Sequence, residues 1–166
     1  MKYSESFVSY IVDVCKRDKG IRADLRRADS DALEWKSWQY IHVFLEDLEK
    51  DEKKRNILVL IASSIASDTN PQNGNKKFGQ AIRTIYPPQK EYKQFPLRFA
   101  RILSCDDIEE LLLSMRPMIR LIASKGIKLD FAALMDDLLW FLHKEKQSDV
   151  KARWMQQYLT GEKEDD

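Results

Sequence analysis

Apolar residues recur at three- and four-residue spacing along most of the chain, and no segment alternates apolar and polar positions long enough to make a strand, so the pattern predicts helices. Over 5–18, Phe7, Val8, Ile11, Val12 and Cys15 fall on one face, and Gly20 reads as the terminator. Ile21, Leu25 and Ala28 predict a short second helix whose other positions include Arg22, Asp24, Arg26 and Arg27, with the basic side chains turned outward. Ser30 or Asp31 can cap a third helix of about four turns carrying Leu33, Trp35, Trp38, Ile41, Phe44, Leu45 and Leu48. A fourth, over 52–67, starts with Asp51-Glu52 at the positive end of its dipole and runs through Ile57-Leu58-Val59-Leu60-Ile61, which predicts a central position.

Thr69-Asn70-Pro71-Gln72-Asn73-Gly74-Asn75 is the clearest loop, dense in turn-forming residues. A short helix over 77–86 precedes Pro87-Pro88, and Pro96 opens another with Leu97, Phe99, Ile102 and Leu103 inward and Arg98 and Arg101 at its flank. Asp106-Asp107 starts a helix that reaches Lys125, where Pro117 should kink or split it and Gly126 should close it. Asp130 caps a helix through His143, and Ser148 or Asp149 caps a last one through Leu159. The fold class predicted is all-α, a compact bundle of about eight helices in one domain over 1–160, with a loop at 68–76 dividing N- and C-terminal helix groups and an acidic disordered tail over 161–166.

Composition agrees with that reading. Five glycines and five prolines in 166 residues are too few for a sandwich or barrel of many short strands. The most apolar run, Ile57 to Ala66, is ten residues long and includes two serines, far short of the roughly 20 a bilayer span needs. The N-terminus lacks a secretory cleavage pattern, so a cytoplasmic location is expected. Cys15 and Cys105 have no Cys-x-x-Cys partner and read as reduced structural thiols.

Charge is segregated beneath a formal net of +1. Residues 16–28 hold six basic and two acidic side chains, net +4, and residues 76–104 hold seven basic and one acidic, net +6, leaving −9 for the remainder. Two cationic segments in one small fold raise the expectation that they converge on a phosphate backbone; the plain alternative is a solvated helix surface. Zinc-finger spacing, a basic zipper and a helix-turn-helix pair are all missing, so binding should be independent of base sequence.

Enzyme chemistry finds little support. His42 and His143 lie in apolar helical segments and read as packed or surface histidines, and the His42/Glu46 pair lacks further ligands at metal spacing. Asp106-Asp107 and Glu109-Glu110 suit a helix N-terminus, and Asp136-Asp137 the polar side of an amphipathic helix, better than a metal-dependent nuclease centre. No Gly-rich phosphate loop, nucleophile elbow or Cys/His pairing occurs, so neither cofactor nor metal is expected. Trp35/Trp38 and Trp140/Phe141 could stack on bases, but their helical spacing places them in the core.

The basic segments carry a resemblance. Gly20-Ile21-Arg22-Ala23-Asp24-Leu25-Arg26-Arg27-Ala28 resembles the glycine and short arginine-bearing helix near the start of the small subunit (CasB family) of the type I-E CRISPR surveillance complex, Cascade. Phe78-Gly79-Gln80-Ala81-Ile82 resembles that family's Leu-Gly-x-Ala-Leu element, and Arg98-Phe99-Ala100-Arg101-Ile102-Leu103 its Arg-Phe-x-x-Leu-Leu helix. Leu129-Asp130-Phe131 with Leu134, Leu138-Leu139-Trp140, and Val150-Lys151 with Trp154 and Tyr158 resemble its closing pattern in the same order. Phe78 replaces the usual leucine, Gln80 stands where some members carry a basic residue, and Pro96 tightens entry to the arginine helix.

The resemblance implies a non-catalytic helical subunit, present in two copies beside the other Cascade subunits and the guide RNA. It also implies binding of nucleic acid, including target DNA, without sequence preference, and help in holding the R-loop and its displaced strand. Carried over by position, Arg26 and Arg27 match the arginine pair after the first helix, Arg98 and Arg101 lie on the matching later helix, and Lys76 and Lys77 precede the glycine element. With Arg22 and Arg83 from the same two segments, these form the candidate nucleic-acid-binding set. A helical protein–protein adaptor that meets acidic protein surfaces and makes no nucleic-acid contact is the alternative.

Overall fold

The computed structural model describes residues 1–88 and 95–161. It is all-α, with nine α-helices among the described residues and one isolated parallel bridge, Lys76 to Leu129. The chain forms two compact units. The first comprises residues 1–73 with 131–139, and the second residues 74–130 with 140–166.

In the first unit, α4 (Glu52–Ser67) is the centre because residues 57–62 are apolar on every side, and all six are buried. Three helices pack on it or on its neighbours: α1 (Tyr3–Arg17), α2 (Lys19–Arg27) and α3 (Trp35–Ile41). α1 contributes Phe7, Val8, Ile11 and Cys15, and α2 contributes Leu25. Gly20 does not end α1. Asp18 does, closing α1 and then accepting Gly20 N (2.8 Å) and Ile21 N (3.1 Å) as the cap of α2, so two helices meet with one residue between them.

The four-turn third helix expected over 30–48 is broken. It resolves into a 3₁₀ turn at Asp31–Leu33, the seven-residue α3, and a second 3₁₀ turn at His42–Phe44. The cause lies in the aspartates that follow. Asp47 Oδ1 accepts Glu49 N (2.9 Å) and Lys50 N (2.8 Å), while Asp51 Oδ2 accepts Glu46 N (3.2 Å) and Asp47 N (3.1 Å), offering the backbone a turn in place of the helical ladder. Tyr3 completes the corner, its hydroxyl donating to Phe44 O at 2.5 Å. Burial, with Asp51 adding to it, pushes this phenol up to about 12.

α8 (Phe131–Phe141) belongs to the first unit through residue 139 and ends at Phe141 rather than His143. Asn73 Oδ1 accepts Phe131 N at 2.7 Å, so the first helical amide is met from the distant loop, and Asp130 places Oδ2 2.6 Å from Lys77 Nζ. Asp136 and Asp137 are not a solvated face. Asp136 Oδ1 accepts Ser4 Oγ at 2.5 Å, and Asp137 is 7% exposed.

In the second unit, α5 (Phe78–Ile85) packs on α9 (Gln147–Thr160), and α6 (Leu97–Ser104) packs on α7 (Ile108–Ser124). Gly79 permits the first of these contacts. A Cβ there would overlap Trp154 O and lie 3.0 Å from Tyr158 N, so two backbones touch where a side chain has no room. Asp107 caps α7 through Glu109 N (2.7 Å) and Glu110 N (3.3 Å). Pro117 does not split α7, which runs unbroken to Ser124 and closes at Gly126 with φ 73°. Leu97 is 85% exposed, not inward; Phe99 and Ile102 form the buried face of α6. α9 starts at Gln147, one residue ahead of the expected caps, after a 3₁₀ turn at Lys144–Lys146.

Cys15 and Cys105 are buried and free. Trp35 is 56% and Trp140 51% exposed, so neither is the core residue its spacing suggested. Among the described residues no helix is long and apolar enough to cross a membrane.

Candidate nucleic-acid interface

α2 buries Leu25, with Ala28 just beyond its end, and this orientation sorts its three arginines. Arg22 turns inward, contrary to the outward face expected of it. Its Nε donates to Ala66 O (3.0 Å) and its Nη2 to Asp68 O (2.8 Å), so the guanidinium closes the C-terminal end of α4. Arg26 and Arg27 are exposed, and neither side chain pairs with another described residue. The acidic residues of this segment are committed elsewhere. Asp18 caps α2, and Asp24 accepts Tyr40 Oη at 3.2 Å and lies 3.9 Å from Lys36 Nζ. Neither carboxylate pairs with Arg26 or Arg27.

Lys16 and Lys19, outside the candidate set, share that exposed and unpaired state among the described residues. Their membership of the same net +4 segment was the available signal. Arg17, between them, pairs with Asp13 one turn earlier.

The second basic segment is sorted in the same way. Arg83, on α5, directs Nη1 to Tyr158 O and Leu159 O, both at 2.8 Å, closing the end of α9. Lys77 pairs with Asp130, and its amide donates to Gln80 Oε1 at 2.9 Å. Gln80 thus starts α5 by satisfying an orphan amide. Lys76 is half-buried in the bridge, where its amide meets Lys128 O (3.2 Å) and its carbonyl accepts Asp130 N (2.8 Å). Arg98 and Arg101 lie one turn apart on the exposed side of α6, opposite Phe99 and Ile102, and neither pairs with another described residue. Lys90 and Lys93, also counted in this segment, fall outside the described residues.

The eight candidates therefore divide. Arg26, Arg27, Arg98 and Arg101 are exposed cations, Arg22, Arg83 and Lys77 hold the fold together, and Lys76 is half-buried at the bridge. Among the described residues, no group of three or more His, Cys, Asp or Glu side chains could hold a metal ion. His42 and His143 are both exposed.

These features define an all-helical protein with exposed arginine pairs on two short helices. Residues 21–159 match the family model of CRISPR-associated protein Cse2, and the chain belongs to that family. The resemblance to the CasB small subunit thereby holds over most of the sequence. Among solved structures, a chain described as "CRISPR RNA-guided surveillance complex" shares the fold with a TM-score of 0.71 and 14% sequence identity, covering 95% of this chain and 91% of that one. No curated protein matches.

Proposed function

We propose that the protein is a non-catalytic small subunit of a type I-E Cascade complex that binds nucleic acid through phosphates and stabilises the displaced strand of the R-loop. The observation that carries this reading is that four arginines of a Cse2-family chain, Arg26, Arg27, Arg98 and Arg101, stand exposed and unpaired among the described residues, while the neighbouring carboxylates Asp18 and Asp24 are occupied. Exchanging a DNA duplex for a guide–target heteroduplex is nearly balanced in energy, so cations that favour the opened state tip it. In this reading the partners are the other Cascade subunits, the guide RNA, target DNA and a second copy of the chain, in the cytoplasm. No cofactor takes part.

Replacing Arg26, Arg27, Arg98 and Arg101 together with Ala tests it. DNA affinity of the assembled complex should fall, and the slope of log affinity against log salt should become shallower by roughly 0.7 per lost single-strand contact, about 3 for all four. Helix content and assembly should persist. An unchanged salt series overturns the reading, and a wild-type chain that co-purifies with its partners yet retains no nucleic acid at low ionic strength is the adaptor instead.

A further inference from the structure

Trp140 closes α8 with half of its surface in water, although Leu138 and Phe141 beside it are fully buried. The corner that carries it is held by backbone and side-chain bonds. His143 N donates to Trp140 O at 3.0 Å, Lys146 N donates to His143 O at 2.8 Å, and Gln147 Nε2 reaches Phe141 O at 3.1 Å and Asp106 O at 3.0 Å. The indole is mounted on a fixed turn.

Beside it lies a hollow of about 250 Å³ lined by Trp140, Lys146, Asp149, Val150 and Arg153. Lys146 Nζ stands 5.9 Å from the indole centroid, the His143 ring is 5.8 Å away and tilted by 52°, and Lys144 is exposed on the same turn. Lys151, on the adjoining helix, is committed to Asp106 at 3.0 Å. An exposed indole flanked by the ammonium groups of Lys144 and Lys146, with Glu145 exposed between them on the turn, suits a planar apolar group that carries its own anions. An unpaired base with its flanking phosphates has that chemistry. A purely apolar protein segment would strip water from Lys146 without neutralising it. Asp149, the carboxylate of the lining, can accept from a base amino group.

We propose that Trp140 is a stacking platform for one unpaired base of a single strand, with Lys144 and Lys146 meeting the adjacent phosphates. The inference rests on the nucleic-acid reading of the arginine helices but adds a second site with different physics, because stacking is apolar and insensitive to salt.

The test titrates the full-length chain with a mixed-sequence single-stranded oligodeoxynucleotide and with the same strand made abasic, from low to near-physiological salt. Trp140→Ala should weaken binding of the intact strand about 5- to 100-fold, Trp140→Phe should recover most of it, and the salt slope should not change. The abasic strand should bind the wild type as weakly as it binds Trp140→Ala. Equal affinity of wild type and Trp140→Ala, or equal affinity of the wild type for both strands, overturns the platform and leaves the arginine reading standing. If Trp140→Ala loses its place in the complex while its oligonucleotide affinity is unchanged, the indole is a protein contact and the proposal fails. A wild-type chain that binds neither strand at the lowest salt removes both readings. Should Trp140→Ala fold poorly, the comparison of the two strands on wild type and Trp140→Phe still decides.

Discussion

The first unit asks a single nine-residue helix to do two jobs that the second unit divides between two eight-residue helices. On α2, Arg22 seals the end of α4 and Arg26 and Arg27 face water. In the second unit the sealing arginine, Arg83, is on α5, and the outward pair, Arg98 and Arg101, is on α6. Both inward arginines donate to two carbonyls near a helix C-terminus, where the macrodipole favours a cation, and both lie near a buried acidic group, Cys15 for Arg22 and Tyr158 for Arg83. Burial raises both of those groups, and the nearby guanidinium works against the rise. Positive charge in the sequence thus has two uses. Which one an arginine serves depends on whether a helix ends within its reach.

The sharpest contrast between the units is in their glycines. Gly20 and Gly79 each introduce an arginine-bearing element, yet a Cβ on Gly20 meets only Asp18 Oδ1 at 3.1 Å, whereas on Gly79 it meets the backbone of α9. Gly79→Ala should cost about 3 kcal/mol or more, since neither backbone can retreat without opening the α5–α9 contact. Gly20→Ala should stay within about 0.5 kcal/mol, because the gain in helix propensity offsets a small shift of one side chain. Urea unfolding of the two variants measures both, and similar costs would refute the close approach. Next in size come the inward arginines. Arg22→Ala and Arg83→Ala should each destabilise by about 1.5–3 kcal/mol, the scale of a lost charge-assisted hydrogen bond together with orphaned carbonyls. Arg26→Ala and Arg98→Ala should stay within about 0.5 kcal/mol as unpaired surface positions. Thermal melts of these four variants would erase the distinction if their midpoints coincided.

Much of the fold was legible in the chain because it is written in apolar spacing. α4 follows from the run Ile57 to Ile61, α6 from Pro96 with Phe99 and Ile102, and the opening of α7 from Asp107. What escaped depends on partners distant in sequence. The break after Ile41 needs Asp47 and Asp51 to win backbone amides and Tyr3 to reach across 41 positions to Phe44. Arg22 and Arg26 are indistinguishable by spacing and charge, and only the position of the α4 terminus separates them. Trp140 shows the same limit: periodicity reports that a residue shares a face with Leu and Phe, not how much of that face its neighbours cover.

The smallest effect bears on the claim that an inward arginine eases a buried acid. Burial pushes the Cys15 thiol up to about 11 from the ordinary 9, with Arg22 pulling it back. The unfolded chain then releases this proton first, so the contribution of Cys15 is complete below pH 9 and is lost as pH rises towards 11. By pH 10 the wild type should have lost about 1 kcal/mol more than Cys15→Ala, relative to each protein at pH 8. Other buried groups titrate in the same window, Tyr3 among them, but they are common to both proteins and leave the difference intact. In Arg22→Ala the guanidinium no longer opposes desolvation, so the pH midpoint of Cys15 thiolate formation in the folded protein, read by ultraviolet absorbance against a Cys15→Ala control, should move upward. A midpoint that stays fixed would reduce Arg22 to a helix cap alone.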